Sequence, residues 1–560
     1  MQPSDWQPYR GERYLDFDAV DRHVNELAAI APDWVSLERL GSSRMGRPLH
    51  LLTIGDRTQG NPDHRPAIWL DGGTHAIEWT GVMSALASVS RWVEGLVQGD
   101  PTLTEAFRQH TAYVAPCVSP DGLHETMHGR PSFRSTLRPP RVGTSRIGFE
   151  PHDIDGDGFV GWMRWRHPSG PWVADGGNLV LLRPRTVDDD PAEAFFLVPE
   201  GRFLQWDGVR YLDAPLELGL DLNRNFPVDW SPFSMFGMDA GDFPGSEPES
   251  RALLDAVAKR PHIAAAVTNH TYTGCLLCPP GRKDTPLSPG DVNHMHRLAK
   301  DLVRDTGYRV YKVYPEFMYD PDKPIIGTWD DTLSAVFGIA AFTLELWDPF
   351  AWAGLEPEDP TTMWRDPNHD RIRAVMDKIV AEGAARPWQA FEHPQLGPVE
   401  LGGIDYHRTV RNPPEPLLRA ECDRGHLVVD RLRRSLPQVT PSLTMRPLND
   451  GIVEILVELE NRGALATSGL QRAVTVGASP PVRVALHGAD PVAGDRDQTL
   501  DHLSGWFRSG FGRSPVYPGL GLDSPRTAAR FMVRSEDLAN VRIEWWAGRA
   551  GRGVLTAKGK

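Results

Sequence analysis

A chain of 560 residues with 40% apolar and 24% charged side chains has ordinary globular usage but is too long for one hydrophobic core, so two domains are expected. The net charge of −14 disfavours a general nucleic-acid role, because phosphate backbones are bound by basic surfaces. No apolar run approaches the roughly 20 residues needed to span a bilayer, so neither nucleic acid nor membrane is an expected partner.

From the N-terminus, MQPSDWQPYRGERYLDFDAV lacks the basic start and apolar stretch of a secretory signal, which predicts a cytoplasmic protein, or a secreted one if the true start lies upstream. Short apolar runs then alternate with helical periodicity, predicting an α/β domain over residues 1–389 with a mixed, mostly parallel sheet flanked by helices. Its strand candidates are Leu49–Ile54, Ala67–Leu70, Ala112–Cys117, Ile263–Thr268 and Ala341–Leu346. Val82, Ala85, Leu86, Val89, Val93 and Leu96 share one helical face directly after the second strand, and Ile372, Val375, Met376 and Ile379 mark a closing helix over Asp366–Glu382. Residues 140–220 are rich in Asp, Gly, Pro and Arg without a sustained period and read as a long surface insertion. Beyond the Pro/Gly-spaced stretch Pro387–Gly403 the period becomes two: Val453, Ile455, Val457 and Leu459, then Val482, Val484 and Leu486, then Val541, Ile543 and Trp545. Residues 390–560 are therefore expected to form an accessory β-sandwich, with the boundary near Ala390. Four cysteines (Cys117, Cys275, Cys278, Cys422) are too few for a disulfide framework, and the lone Cys275-x-x-Cys278 pair reads as ordinary buried thiols.

The most informative segment is Asp71-Gly-Gly-Thr-His75-Ala-Ile-Glu78-Trp79, set between a predicted buried strand and a helix. Imidazole and carboxylate are common zinc ligands, and a set of two histidines and a glutamate leaves one position open. Further segments follow in order: Ser119-Pro-Asp121-Gly122, Asp221-Leu-Asn223-Arg224-Asn225-Phe226-Pro227, Gly245-Ser-Glu247-Pro-Glu249, Asn269-His270-Thr-Tyr272 and Phe342-Thr-Leu-Glu345-Leu.

Together with Gly41-Ser-Ser-Arg-Met-Gly46-Arg47, this ordered series resembles the zinc carboxypeptidases of the M14, carboxypeptidase A-like family, over residues 10 to 385. The resemblance implies a zinc carboxypeptidase-like fold holding one Zn²⁺ on His75, Glu78 and His270. It implies Asp221 as the carboxylate that orients a ligand imidazole, with a loop-capping aspartate as the plainer alternative. Glu345 would be the general base, the alternative being a structural ion pair. Asn223 and Arg224 would clamp the free C-terminal carboxylate of a peptide substrate, Tyr272 would line the substrate groove, and Arg134 would stabilise the oxyanion, with Arg138 as the fallback.

Departures from the pattern bear on specificity. The family often carries arginine directly before the first glutamate ligand, where this chain has Ile77, and the substrate groove loses a positive charge. Where the family supplies a mobile tyrosine this chain has Lys323 and Pro324, leaving Tyr319, or next Tyr314, as the replacement. Asp330 falls where basic-specific members carry an acid, implying a preference for C-terminal Lys or Arg. Asp153-Ile-Asp155-Gly-Asp157-Gly158 resembles the first half of a calcium loop, although its twelfth position is Arg164 rather than glutamate, so Ca²⁺ stands beside an Asp/Gly-rich turn. The expected function is removal of C-terminal residues from peptides. Hydrolysis of a non-standard amide (a cell-wall stem peptide or a γ-linked amide) and a catalytically silent peptide-binding protein are the alternatives.

Overall fold

The computed structural model describes residues 6–128, 133–138, 147–176, 180–214, 219–232, 239–320, 322–507, 516 and 524–556. Eight strands build the central sheet: β1 (Val35–Ser42), β2 (Pro48–Ile54), β3 (Ala67–Gly72), β4 (Thr111–Ala115), β5 (Ile263–Thr271), β6 (Cys275–Cys278), β7 (Arg309–Lys312) and β8 (Ala340–Leu346). Their spatial order is β1-β2-β4-β3-β5-β8-β6-β7; the centre from β4 to β8 is parallel, and pairing turns antiparallel at β2 and β6. Every residue of β3 and β5 is buried, as strands covered on both faces must be. Ile68, Leu70, Val267 and Leu344 face helices Trp79–Gln98 and Glu415–Arg434 on one side, whereas Trp69, Ala266 and Ala341 face Pro248–Ala258 and Trp329–Ala335 on the other.

The five expected strands are all present within a few residues of their predicted ends, and the closing helix spans His369–Ala381. β1, β6 and β7 were not expected: β1 carries Glu38 and Arg39 on an edge, and β6 and β7 are only four residues each, too short to display a period. Helix Trp79–Gln98 lies close to the sheet because Gly72 and Gly81 meet there; a Cβ on Gly72 would sit 2.5 Å from the Gly81 carbonyl oxygen, and one on Gly81 would sit 2.7 Å from that of Asn269. This approach brings the N-terminus of the helix, with Glu78, against the end of β5.

The insertion is folded rather than a loose surface excursion. Its strands Trp162–Arg166, Ala194–Pro199, Trp172–Ala174 and Leu182–Pro184 continue a six-stranded sheet from the hairpin Ala385–His393 and Gly397–Ile404. Met163, Trp165, Phe149, Phe203, Val399 and Leu401 form its core. The stretch expected to link two domains is thus a hairpin, its glycines serving the close pairing: Gly402 opposes Trp162. Helix Glu415–Arg434 then returns to the first core, where Leu418, Cys422, Val428, Val429, Leu432 and Leu436 are fully or almost fully buried. The expected boundary near Ala390 falls inside that hairpin, and the strands of the last unit begin at Val439.

Two antiparallel sheets close the chain, one of Val439–Pro447, Ile452–Asn461 and Arg526–Arg534, the other of Asp497–Leu500, Val482–His487, Arg542–Ala547 and Arg552–Thr556. The alternating residues Ile455, Val457, Val482, Val484, Leu486 and Ile543 face inward and share one core with Ala529, Phe531 and Val533. Arg549 leaves this unit, is 1% exposed, and donates hydrogen bonds to the carbonyl oxygens of Ile263 and Phe337 in the first. No helix among the described residues is long and apolar enough to cross a membrane.

Candidate metal centre

Three features of the sheet assemble the site. The chain leaves β3 at Gly72 and turns through Gly73–Glu78 into helix Trp79–Gln98, which exposes His75 and Glu78 at the carboxyl end of a central parallel strand, where open α/β sheets place their ligands. β5 ends beside it, carrying His270. Parallel pairing of β5 with β8 sets His270 opposite Glu345, so the two side chains stand on the same face of neighbouring strands.

His75 Nδ1 lies 2.9 Å from Glu78 Oε1, His270 Nδ1 lies 3.0 Å from Glu78 Oε2, and the two Nδ1 atoms are 3.1 Å apart. The backbone N–H of Thr271 donates to Glu78 Oε2 at 3.1 Å and fixes the carboxylate. On the far side of the ring, His75 Nε2 is 3.2 Å from Asp221 Oδ1. With the proton held there, His75 Nδ1 presents a lone pair towards a carboxylate and a second imidazole nitrogen. Three acceptors thus converge, buried, with too few protons to satisfy one another, and their ligand atoms lie within 4.8 Å of one another. That is the donor set of a divalent cation site, and its nitrogen and carboxylate composition fits zinc. Burial opposes ionisation of Glu78, yet His75 and His270 outweigh it and hold its carboxyl well below the usual carboxylate range.

Asp221 caps the short turn Leu222–Arg224, accepting from Asn223 N at 3.0 Å through the same Oδ1 that receives His75, while Oδ2 accepts from Arg134 Nε at 3.3 Å. It therefore caps the turn and meets the imidazole of His75 through one oxygen. Burial pushes its carboxyl up, but Arg134, Arg224 and His75 prevail and keep it well below the ordinary range. Arg134 also reaches Glu78 Oε1 at 3.4 Å. Arg138, the fallback, pairs instead with Asp242 at 2.6 Å and Asp239 at 3.5 Å and lies outside the cavity.

A cavity of about 720 Å³ opens over these groups and is lined as well by Asn223, Arg224, Tyr272, Tyr319, Asp330 and Glu345. The residues expected to contact zinc or the substrate are thus gathered at one place. Burial pushes the Glu345 carboxyl up to about 7, the negative charge of Glu78 adding to this and His270, Arg411 and Arg134 opposing it. Burial likewise raises the Tyr319 phenol to about 12, with Glu345 adding to it. At the far end Asp330 accepts from the Thr343 hydroxyl at 3.0 Å, and Asp331 accepts from Gly281 N at 3.0 Å.

The sequence profile described as zinc carboxypeptidase matches residues 20–162 and 193–358. The chain belongs to the zinc carboxypeptidase family. The gap in the match falls within the insertion, and a second profile, described as a domain of unknown function, matches residues 439–558. Rat carboxypeptidase A2 is 30% identical over 289 residues, 52% of this chain and 51% of the relative. Crayfish (Astacus astacus) carboxypeptidase B is 32% identical over 132 residues, 24% of this chain and 39% of the relative. The chain spans about half the length of the first of these relatives. Among solved structures, carboxypeptidase A from Helicoverpa armigera is similar at 17% identity and a TM-score of 0.41, covering 68% of this chain and 77% of that one. Thrombin activatable fibrinolysis inhibitor is similar at 18% identity and a TM-score of 0.41, covering 66% and 74%.

Among the lining residues of this cavity that were missed in the sequence are Tyr406 and Arg411, which lie beyond the matched segments and in no recognisable motif. The acidic loop of the insertion does not assemble as expected for calcium. Asp157 is turned to Arg386, and Asp153 accepts from the backbone N–H of Gly156 and Gly158 at 2.7 and 2.8 Å, as in an Asp/Gly turn. Asp153 and Asp155 do lie near Glu200, whose carboxylate already accepts from Ile154 N at 2.7 Å. Calcium gains no support from these contacts. All four cysteines are free and buried, and burial raises the Cys275 and Cys278 thiols, as befits inert packing groups.

Proposed function

We propose that this chain is a metallocarboxypeptidase that hydrolyses the C-terminal peptide bond of peptides with a free terminal carboxylate. The observation that carries the reading is the convergence of His75 Nδ1, His270 Nδ1 and Glu78 with Glu345 in register beside His270. A zinc ion on those three ligands supplies Lewis-acid polarisation and acidifies water. Glu345, in register beside His270 and outside the ligand set, takes the proton from the attacking water and returns it to the leaving amine. Arg134, held by Asp221, donates to the carbonyl oxygen as negative charge develops on it. Arg224 and Asn223 receive the terminal carboxylate, and this limits cleavage to the chain end, since an internal bond offers no such group. Asn223 is itself fixed, its Oδ1 accepting from Trp329 N at 2.9 Å.

The floor of the cavity favours a basic terminal residue. The buried Asp330 carboxylate, which lines the cavity and accepts from the Thr343 hydroxyl, offers acceptor oxygens to a basic substrate side chain. Digestion of a peptide mixture by the zinc-loaded protein, read by mass spectrometry with and without a chelator, tests both points. Stepwise loss of C-terminal residues, fastest for Lys and Arg and abolished by the chelator, is expected. Internal cleavage would overturn the exopeptidase reading, and faster loss of Phe than Arg would overturn the basic preference.

A further inference from the structure

The segment from Tyr406 to Asn412 lies outside both stretches matched to the zinc carboxypeptidase family, yet it is locked onto the metal-binding loop. Asn412, fully buried, donates from Nδ2 to the Ile77 carbonyl at 2.8 Å, while its Oδ1 accepts from the backbone N–H and hydroxyl of Thr80 at 3.0 and 2.9 Å. These bonds straddle Glu78 and fix the preceding residue, Arg411, at the cavity wall. The Arg411 guanidinium donates to the Thr271 carbonyl at 3.1 Å, lies 3.5 Å from Glu78 Oε1, and stacks 4.9 Å from the Tyr272 ring and 5.8 Å from that of Tyr406. Its Nε–H is buried without a hydrogen-bond partner among the described residues. A guanidinium carries five N–H groups in a rigid fork, so donors remain for a ligand in the cavity. A cation therefore stands beside the metal ligands although residue 77, next to Glu78, is isoleucine.

The two rings that flank Arg411 also border a second cavity, of about 780 Å³, walled by Trp162 and Leu181 of the insertion and by Phe350 and Met376. Tyr272 and Tyr406 line both spaces, so the two cavities adjoin across these rings, with Arg411 on the side of the first. A peptide whose terminal carboxylate meets Arg224, with its last side chain directed at Asp330, has its remaining residues on the side of the scissile bond away from that floor. The second cavity adjoins the first across the Tyr272 and Tyr406 rings, and its lining is mainly apolar.

We infer that Arg411 and the neighbouring apolar cavity form an upstream substrate site: the Arg411 guanidinium donates to a backbone carbonyl of the residues preceding the scissile bond, and the cavity takes their apolar side chains. This rests on the carboxypeptidase reading and adds a substrate class to it, peptides of three or more residues with apolar side chains before the cleaved bond. The insertion, which holds the gap between the matched family segments, and the Tyr406–Asn412 turn beyond them are then the specificity elements.

The test compares three N-blocked substrates with the same C-terminal residue: a dipeptide, a tetrapeptide with phenylalanine before the scissile pair, and the same tetrapeptide with aspartate there. On the zinc-loaded wild type, kcat/KM for the phenylalanine tetrapeptide is expected to exceed that for the dipeptide and the aspartate tetrapeptide by about tenfold or more, the scale of a charged hydrogen bond plus apolar burial. Arg411→Met, which keeps the stem against the two rings but removes the donors, should cut the tetrapeptide-to-dipeptide ratio about tenfold, mostly through KM, and Arg411→Lys should restore part of it. Calorimetric titration of the phenylalanine tetrapeptide into the zinc-loaded Glu345→Gln protein reads binding without turnover, and adding Arg411→Met to it should weaken Kd by a similar factor. Equal kcat/KM for all three substrates on wild type would overturn the upstream site while leaving the peptidase reading standing. Absence of any C-terminal cleavage would instead remove the reading on which it rests.

Discussion

Replacing Asp221 with asparagine isolates its proposed role in orienting the metal centre at almost constant volume. The carboxylate accepts three N–H groups: His75 Nε2–H and Asn223 N–H at Oδ1, at 3.2 and 3.0 Å, and Arg134 Nε–H at Oδ2, at 3.3 Å. An amide offers one acceptor oxygen and an NH₂. With its oxygen in place of Oδ1, the NH₂ opposes the Arg134 N–H and loses the charge-assisted bond. With the amide reversed, the NH₂ opposes His75, which then moves its proton to Nδ1 and can no longer donate a lone pair there. Both orientations weaken the same site. Loss of a partner that orients a ligand imidazole lowers metal affinity about 10–100-fold, or roughly 1.4–2.7 kcal/mol. Competition with a chromogenic zinc chelator at pH 7.5 should give a zinc Kd for Asp221→Asn raised by that factor, with wild-type secondary structure retained by circular dichroism. A zinc Kd within twofold of wild type would refute the claim that this contact sets the tautomer of His75.

Glu345→Gln should reduce kcat on a blocked dipeptide by about 10²–10⁴-fold while the protein still binds one zinc by metal analysis, because the residue stands beside the ligands and not among them; near-normal turnover would remove Glu345 as the base. Burial pushes the carboxyl of Glu249 up to about 7, where Thr136 is the hydrogen-bond donor at 2.8 Å and the second oxygen has no partner among the described residues. Because the folded value exceeds the ordinary value of about 4.3, this group's stabilising contribution is full below that pH and is lost as pH rises through about 7. Glu249→Gln should accordingly remove on the order of 2–3 kcal/mol of the stability lost between pH 4.5 and 7.5, read from denaturant melts at both ends; an unchanged pH dependence would show that the acid is not held neutral. In Gly81→Ala the new methyl would sit 2.7 Å from the Asn269 carbonyl oxygen, pushing helix and strand apart beside His270. A loss of about 1–3 kcal/mol in urea unfolding is expected, and a variant as stable as wild type would mean the approach is not a packing constraint.

What could be read from the sequence was what lies contiguous in it. His75 and Glu78 share one loop, His270 and Glu345 each end a run of buried residues, and strand pairing then does the assembly that the motifs anticipate. The tail was legible because Ile455, Val457 and Leu459 repeat at the period of a strand with one buried face. The strands of the insertion are three to six residues long; one, Trp162–Arg166, pairs with a hairpin more than 230 residues later and the others pair within the insertion, so no local pattern announces them. Arg411 was hidden for a different reason. Its meaning comes from Tyr272 and Thr271, which are neighbours only in space, and a single arginine after a polar turn carries no signal of its own.

The buried guanidinium of Arg549 ties the last unit to the first residue of the strand that ends in a metal ligand. Seven residue steps of extended chain lead from Ile263 to His270, a span of about 23 Å at roughly 3.3 Å per step. The closing sandwich thus grips the base of a rod whose tip carries a candidate zinc ligand. Cutting the polypeptide before Val439 would strip that anchor and bare the carbonyls it covers, so the two halves should melt in one transition rather than as separable modules.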